Sequence, residues 1–205
     1  IAHDTPLSIR SRGKSNIFPN LQFLTLKMKD AIIDNIRRQT KRRPDIDKVN
    51  PIYSLFIYLN EDIIQVYLNS SGVSLSKRGY RSDKIHKASI NEALAAGLVL
   101  LSGWKPNQPL YDPMCGSGTI PIEAVMIGRN IPGGYYRKEY GFQKWKNYNP
   151  RLWNTIVKEA KEKILPDRMR IFASDNVGAN INLAQQNIQH ILMKQWIQIS
   201  KKEFS

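Results

Sequence analysis

The feature that most constrains this chain is the short stretch Leu110–Ile120, which reads Leu-Tyr-Asp-Pro-Met-Cys-Gly-Ser-Gly-Thr-Ile. Its order predicts a strand, a glycine loop and the start of a helix. Because Gly116 and Gly118 have no Cβ, the backbone N–H groups of such a loop can lie close to a ligand. A Gly-x-Gly also serves as an ordinary strand-to-helix turn, but Asp112 at the strand end makes the pattern more specific. The stretch predicts a site for a cofactor with a charged amino-acid end, held by Asp112 and the loop amides.

The balance of charges indicates a polyanionic partner. Lys and Arg number 31 against 17 Asp and Glu, which gives a net charge of +14. Such an excess favours RNA or DNA, with a basic protein that has no nucleic-acid role as the alternative and an anionic membrane surface less favoured. One basic cluster ends a predicted helix. Its cations either suit the dipole of a solvated helix end or contact phosphate: Arg37, Arg38, Lys41, Arg42 and Arg43.

Cysteine and histidine usage bounds the chemistry further. The single cysteine, Cys115, excludes an internal disulfide and fits the reducing cytoplasm. No basic partner stands near it, so it is interpreted as a small packing residue rather than a nucleophile. The scattered His3, His86 and His190 predict no metal site. No apolar run approaches the roughly 20 residues that span a bilayer, and the lack of a starting Met indicates the middle of a longer protein.

The first third of the chain predicts a small α+β unit. Leu7–Arg12 is typical of a short strand, and Leu21–Arg38 of an amphipathic helix. The β-branched and aromatic runs 52–59 and 63–68 predict a hairpin. Its tyrosines are interpreted as sheet packing rather than as platforms for stacked bases. The predicted buried stripe of the helix is Leu24, Met28, Ala31, Ile32 and Asn35.

From residue 87 onward strands alternate with helices, which predicts a doubly wound parallel sheet. Ligands bind beyond the carboxyl ends of the strands in such sheets, and three predicted strand ends carry Asp112, Asp175 and Glu203. Asp175 can accept hydrogen bonds from a ribose diol and Glu203 from the exocyclic amine of adenine, although each acid could instead cap a helix or lie on the surface. The first helix is predicted over 87–104, with an apolar face and a C-capping glycine: Ile90, Ala93, Leu94, Gly97, Leu98, Leu101 and Gly103.

The segment Asp112–Thr119 resembles the first cofactor motif of S-adenosylmethionine-dependent methyltransferases. Among these it is most similar to the RNA methyltransferases that carry an N-terminal THUMP domain. Further segments in the same order extend the resemblance over nearly the whole chain. They are Lys29–Asp34 with Arg43-Pro44 and Pro51, the exit segment 72–81, residues 91–96 with Gly103-Trp104, and an aromatic insertion within 129–150 that contains 129–133 and 142–145.

The resemblance implies the fold: the N-terminal half of a Rossmann-like, doubly wound α/β methyltransferase sheet, preceded by part of an α+β THUMP domain. The boundaries it implies are 1–74 for the partial THUMP domain, 75–86 for a linker and 87–205 for the methyltransferase part. The implied contacts to S-adenosylmethionine are Asp112, Pro113, Cys115, Gly116, Ser117, Gly118, Thr119, Asp175, Asn176 and Glu203. The candidate RNA contacts, which rest on charge, are the helix-end cluster together with Lys77, Arg78 and Arg81.

The implied reaction is methyl transfer to RNA, in particular to N2 of a guanine in 23S ribosomal RNA of the large subunit. Glu203 stands where the family usually has aspartate. The Asn-Pro-Pro-Tyr motif that receives the target amine is expected after Ser205, so no catalytic residue is assigned within the chain. Two other functions stay open: a non-catalytic RNA-binding module with a vestigial cofactor fold, and methylation of adenine N6 in DNA or RNA.

Overall fold

The computed structural model describes residues 5–17, 20–61, 63–81, 89–166 and 169–203. The chain divides into two compact units, 1–73 with 139–149 and 74–138 with 150–205. The first unit contains β1 (Leu7–Lys14), α1 (Leu21–Thr40), β2 (Tyr53–Asn60), β3 (Ile63–Leu68) and a short 3-10 helix, Gly141–Lys144. The second contains α2 (Glu92–Leu101), β4 (Leu110–Asp112), α3 (Thr119–Gly128), α4 (Pro150–Glu162), β5 (Ile171–Asp175), α5 (Gly178–His190) and β6 (Ile197–Lys201).

The first unit is a sheet in the order β1-β2-β3 with α1 packed on one face. β1 pairs parallel with β2, and β2 pairs antiparallel with β3. The side chain of Asn20 accepts hydrogen bonds from the N–H groups of Gln22 and Phe23 and so caps α1. The predicted strand, helix and hairpin are therefore confirmed.

The buried face of α1 differs from the predicted stripe. Leu24 is buried as expected, but the other buried positions are Ile33 and Ile36, while Ala31 and Asn35 are exposed. Apolar residues lie on two overlapping stripes of this helix, and the sequence pattern does not decide between them. The contact with β1 selects the stripe that ends at Ile36.

The second unit contains a parallel sheet in the order β4-β5-β6, as the alternation of elements predicts. The core is formed around α3 and β5, where Ile122, Val125 and Ile171 are fully or almost fully buried. Because the strands are parallel, the residues at their carboxyl ends lie along one edge of the sheet.

The predicted face of α2 is wrong. The helix begins at Glu92 rather than near residue 87, and residues 87 and 88 lie outside the described residues. Leu94 and Leu101, both assigned to the apolar face, are 57% and 86% exposed. The buried positions are Glu92, Ala95, Ala96 and Val99. Small alanines allow α2 to lie close to α3, which is why they face the core in place of the leucines.

The aromatic insertion is ordered where the structure describes it, and its parts belong to different units. Residues 139–149 join the first unit. There Trp145 stacks on Tyr53 with 6.0 Å between ring centroids, and the N–H of Phe142 donates to the carbonyl of Ser70 at 2.8 Å. In the hairpin of the same unit, Tyr58 and Tyr67 are 37% and 48% exposed, and the interpretation of its tyrosines as sheet packing stays a prediction.

Candidate functional site

The two glycines of the loop between β4 and α3 serve different purposes. Both have left-handed backbone angles, with φ of 53° at Gly116 and 80° at Gly118. A Cβ on Gly118 would lie 3.2 Å from the Cβ of Ala184, whereas a Cβ on Gly116 would meet no atom of the described residues within 4 Å. Gly118 therefore lets α3 approach α5, and Gly116 leaves open space for a ligand beside the loop.

Four backbone amides of the glycine loop donate hydrogen bonds within the protein. Four N–H groups donate as follows: Met114 to Asp112 Oδ1 (3.2 Å), Cys115 to the carbonyl of Ser174 (2.9 Å), Gly116 to Asp175 Oδ2 (3.0 Å) and Gly118 to the carbonyl of Cys115 (2.8 Å). The expectation that loop amides hold the ligand stays a prediction, and these four groups have partners within the protein when no ligand is present. The loop is pre-formed by its own hydrogen bonds before any ligand binds.

One carboxylate oxygen of Asp112 lacks a hydrogen-bond donor among the described residues. Its Oδ1 accepts from Met114, but its Oδ2 is buried and has no hydrogen-bond partner among the described residues. Burial raises the pKa of Asp112, and the nearby charge of Asp175 raises it further, while the Met114 hydrogen bond lowers it. A buried carboxylate oxygen without a donor is unfavourable, and a cationic donor from a ligand relieves both the charge and the missing hydrogen bond. The ammonium of an amino-acid end fits this requirement.

Asp175 is well satisfied in comparison. It is 7% exposed, and its carboxylate accepts from the N–H groups of Gly116 and Val177 and from the side-chain amide of Asn180, at 3.0, 2.9 and 3.1 Å. Burial raises its pKa, but the three hydrogen bonds outweigh that effect and hold the pKa below the usual value. Because an ionised carboxylate offers about four acceptor positions, one remains for a ribose hydroxyl.

A pocket of about 540 Å³ lies at the carboxyl ends of the strands. Its volume falls in the range of small-molecule sites. The lining residues are Pro113, Met114, Asp175, Asn176, Val177, Asn180, Lys202 and Glu203. A second pocket, of about 410 Å³, shares Pro113 and Lys202 with the first and is lined also by Asp112. The predicted residues Asp112, Pro113, Asp175, Asn176 and Glu203 are thus brought together at one edge of the sheet.

Three other predicted cofactor residues have side chains that lie behind the loop. Cys115, Ser117 and Thr119 are buried and line neither of these pockets. Burial, followed by the charges of Asp112 and Asp175, raises the pKa of Cys115 to about 12, so the thiol stays protonated near neutral pH. The hydroxyl of Ser117 lies 3.2 Å from that of Thr119 and 3.1 Å from that of Ser89. These side chains support the loop from inside.

The exit segment contains two arginines that were predicted to contact RNA. The structure pairs both with buried carboxylates. Arg78 lies 3.4 Å from Glu123, which also accepts from the hydroxyl of Tyr80 at 2.9 Å. Lys77, which was predicted to contact RNA beside them, is exposed. We therefore assign Arg78 to structural support rather than to RNA contact.

Arg81 forms the second of these buried pairs. It lies 3.5 Å from Glu92, and it donates to the hydroxyl of Thr119 at 2.7 Å and to the carbonyl of Ile90. Sequence reasoning missed both carboxylates. The signal that could have found Glu123 is an acidic residue within the apolar run of α3, because a buried acid requires a cationic or hydrogen-bonding partner.

The helix-end cluster keeps its cations at the surface. Arg37, Arg38, Lys41, Arg42 and Arg43 are all exposed. α1 ends at Thr40 and is capped by Lys41, whose φ of 60° is left-handed and whose N–H donates to the carbonyl of Arg37.

In the ranges 5–17, 20–61, 63–81, 89–166 and 169–203, no group of three or more His, Cys, Asp or Glu could hold a metal ion. No helix described in the structure is long and apolar enough to cross a membrane.

Comparison with sequence families gives two matches. The profile of the RMKL-like methyltransferase domain matches residues 78–205, and that of the THUMP domain matches residues 1–69. Two relatives carry the name ribosomal RNA large subunit methyltransferase K/L. The one from Buchnera aphidicola subsp. Schizaphis graminum (strain Sg) is 42% identical and is matched over 76% of this chain and 22% of its own length. The one from Buchnera aphidicola subsp. Acyrthosiphon pisum (strain APS) is 40% identical over 86% of this chain and 25% of its own length.

The solved structures that this chain resembles are also named as methyltransferases. A protein of Listeria monocytogenes str. 4b F2365, named as a predicted N6-adenine-specific DNA methylase, matches with a TM-score of 0.87 at 28% identity, over 98% of this chain and 52% of its own. A putative methyltransferase complexed with SAH matches with a TM-score of 0.84 at 27% identity, over 98% and 53%. This chain thus spans about a quarter of the curated relatives and about half of these solved chains.

Proposed function

This chain belongs to the RMKL-like methyltransferase family, and from that premise we propose that it forms the cofactor-binding part of an enzyme that methylates RNA. The observation that carries the proposal is the buried Oδ2 of Asp112, which has no hydrogen-bond partner within the described part of the chain and lies beside a pre-formed glycine loop. When bound, S-adenosylmethionine supplies an electrophilic methyl group. The neighbouring structure named as complexed with SAH supports this choice of cofactor.

Each residue at the sheet edge takes one part of the cofactor in this proposal. Asp112 accepts from the ammonium of the methionine end, and the open side of Gly116 leaves room for that end. Asp175 uses its remaining acceptor position for a ribose hydroxyl. Glu203 accepts from the exocyclic amine of adenine, and Pro113 and Asn176 form walls of the pocket. Cys115, Ser117, Gly118 and Thr119 hold the loop in shape.

RNA is the proposed substrate, and it is bound through the first unit. The THUMP profile over residues 1–69, the excess of basic residues and the exposed cluster at the end of α1 support this assignment. Both curated relatives are named for ribosomal RNA of the large subunit, so we propose that RNA, with guanine N2 as the methylated atom. The single cysteine is compatible with the cytoplasm, which we propose as the location.

One observation favours a second candidate reaction. The Listeria structure is named for methylation of adenine N6 in DNA. The two reactions share a cofactor site and differ in the base that receives the methyl group. The THUMP match favours RNA over DNA, and the product nucleoside decides between the two bases.

Calorimetric titration with S-adenosylmethionine tests the cofactor site first. We expect saturable binding by the parent protein and a large loss of affinity in Asp112→Asn, with no change in Asp30→Asn, an exposed carboxylate on α1. Nucleoside analysis of treated ribosomal RNA then tests the reaction, with N2-methylguanosine as the expected product. N6-methyladenosine would favour the second candidate. If the protein binds RNA but not the cofactor, the proposal of an enzyme would be wrong, and a non-catalytic RNA-binding module would take its place.

A further inference from the structure

The register of the first sheet collects basic and aromatic side chains on one face. Successive residues of a strand point to opposite faces, and paired residues on neighbouring strands point to the same face. Three rows therefore share a face: Arg10, Phe56 and Tyr67; Arg12, Tyr58 and Gln65; Lys14, Asn60 and Ile63. We call these nine residues the open sheet face. Its cations all come from β1, and its aromatic rings come from β2, which pairs with β1, and from β3, which lies beyond β2.

The opposite face of this sheet is the one covered by α1. Ile57 and Leu59 are buried and have the other parity on β2. Ser11, on that same side of β1, accepts or donates a hydrogen bond with the hydroxyl of Thr25 of α1. The helix layer therefore lies behind the open sheet face and does not cover it.

Side chains of the open sheet face are accessible. Arg10, Arg12 and Lys14 are exposed, as are Tyr58 and Tyr67, while Phe56 is half-buried. Among the described residues, no carboxylate forms an ion pair with any of the three cations. Arg10 and Lys14 are four residues apart, so the cations form a row about 13 Å long at roughly 3.3 Å per residue.

We propose that the open sheet face binds single-stranded RNA, with bases stacked on Tyr58 and Tyr67 and phosphates held by Arg10, Arg12 and Lys14. Neighbouring strands lie about 4.8 Å apart, so Tyr58 lies one strand from the row of cations and Tyr67 lies two strands, about 10 Å, from it. Aromatic platforms next to a basic groove are how single strands are bound without readout of sequence. A base-paired duplex does not offer the faces of its bases to such rings.

The charges select RNA over a protein partner. Three cations stand in a row, and two of the three aromatic side chains of this face, Tyr58 and Tyr67, have polar hydroxyl ends. The core of a protein interface is instead depleted of charged residues. This inference deepens the proposed function, on which it rests, because it names the form of the RNA and a surface separate from the cluster at the end of α1.

Fluorescence anisotropy with a short labelled oligouridine and with a duplex RNA tests the proposal. In Tyr58→Leu/Tyr67→Leu we expect single-strand affinity to fall about tenfold or more, since each stacked base is lost with its ring. Duplex affinity should change little. The matched variant Tyr58→Phe/Tyr67→Phe keeps both rings and should bind like the parent. Tyr135→Leu, an exposed tyrosine of the second unit, should also leave binding unchanged.

A charge variant gives an independent measurement. Arg10→Ala/Arg12→Ala should lower the slope of log affinity against log salt by about 1.4, at roughly 0.7 per neutralised phosphate of a single strand. Lys27→Ala, at an exposed position of α1, should not lower it. Melting curves establish that each variant is folded.

The failures of the two proposals can be told apart. Loss of RNA binding by the parent itself would overturn both this inference and RNA as the substrate. Normal RNA binding by the parent, with the leucine variant unaffected or equally weakened for duplex and single strand, would overturn the stacking surface alone.

Discussion

Asp175 Oδ2 accepts a hydrogen bond from the backbone N–H of Gly116 at 3.0 Å, across 59 positions of sequence. This hydrogen bond joins the end of β5 to the middle of the glycine loop. The same carboxylate also caps the turn that leads into α5, through Val177 and Asn180. One side chain therefore fixes two of the segments that form the proposed cofactor pocket.

Asp175→Ala should weaken both the fold and cofactor binding. It removes an acceptor from three donors, so we expect a loss of about 1–3 kcal/mol in unfolding free energy without cofactor. Binding of S-adenosylmethionine should fall by about a further 1–3 kcal/mol if a ribose hydroxyl also donates to this carboxylate. Denaturant unfolding and calorimetry measure the two effects separately. Unchanged affinity in a folded variant would contradict the ribose assignment, and Asp34→Ala, an exposed acid of α1, serves as the control.

Alanine at the two loop glycines should have different effects. Gly118→Ala places a Cβ 3.2 Å from that of Ala184, in addition to a left-handed strain of about 1–2 kcal/mol, so it should lower the melting temperature more. Gly116→Ala meets open space and should be destabilising mainly through strain, while its methyl group occupies the ligand side of the loop. We expect Gly116→Ala to lower cofactor affinity more than Gly118→Ala does, and to lower the melting temperature less. The reverse ranking in melting and titration would contradict the two roles.

Cofactor affinity should depend on pH through Asp112. Its raised pKa means that the charged form needed by a cationic ligand is lost as the pH falls, at a higher pH than for an ordinary aspartate near 3.9. Without ligand the sign is opposite: the group's contribution to stability is present at low pH and is lost as pH rises through its folded pKa. Affinity should therefore rise with pH across that pKa. Calorimetry over a pH series should give a flat profile for Asp112→Asn, and a profile unchanged from the parent would contradict the assignment.

Neighbouring basic residues of the exit segment should behave differently. Arg78→Ala leaves Glu123 buried without its cation, so we expect the free energy of unfolding to fall by about 2–3 kcal/mol. This is less than the ~3–5 kcal/mol typical of a fully buried pair, because the side chain of Arg78 is 20% exposed. Lys77→Ala should leave stability within about 0.5 kcal/mol, as for an exposed site. Chemical denaturation measures both. Equal stability of the two variants would show that the Arg78–Glu123 pair contributes little.

Charge reversal at the end of α1 should reduce RNA affinity. Arg42→Glu/Arg43→Glu removes two exposed cations and adds two anions, so both the affinity and its dependence on salt should fall, by about 0.7–0.9 in slope for each phosphate that is no longer neutralised. Binding at several salt concentrations gives the slope. An unaltered slope would leave the cluster as a solvated helix end, and Lys27→Ala is the charge control on the same helix.

Local patterns predicted the elements of this fold well. The strand, loop and helix around Gly116 are set by neighbouring residues, and so is the end of α2 before Gly103, whose φ of 69° is left-handed. The hairpin likewise follows from two β-rich runs and the turn between them. Such features depend on interactions between residues near in sequence, so a sequence pattern contains the required information.

Local patterns did not predict which face of each helix is buried. The leucines of α2 gave an apolar stripe that the structure leaves exposed, because the alanines and Glu92 meet α3 and Arg81 instead. Arg78 and Arg81 were predicted to contact RNA because of their charge, and the structure pairs them with the buried Glu123 and Glu92. Sequence patterns miss such packing partners because the partner lies on another element of the fold, where no local period reports it.

The sequence by itself determined the order of strands and helices, the glycine loop and the acids at the strand ends, since these follow from backbone geometry and hydrophobic period. Only the tertiary structure decided that Asp175 completes the loop, that Asp112 keeps an oxygen with no partner among the residues that the structure describes, and that cations and aromatic rings share one face of the first sheet. Those relationships depend on sheet register and on desolvation, which arise only when distant segments pack together.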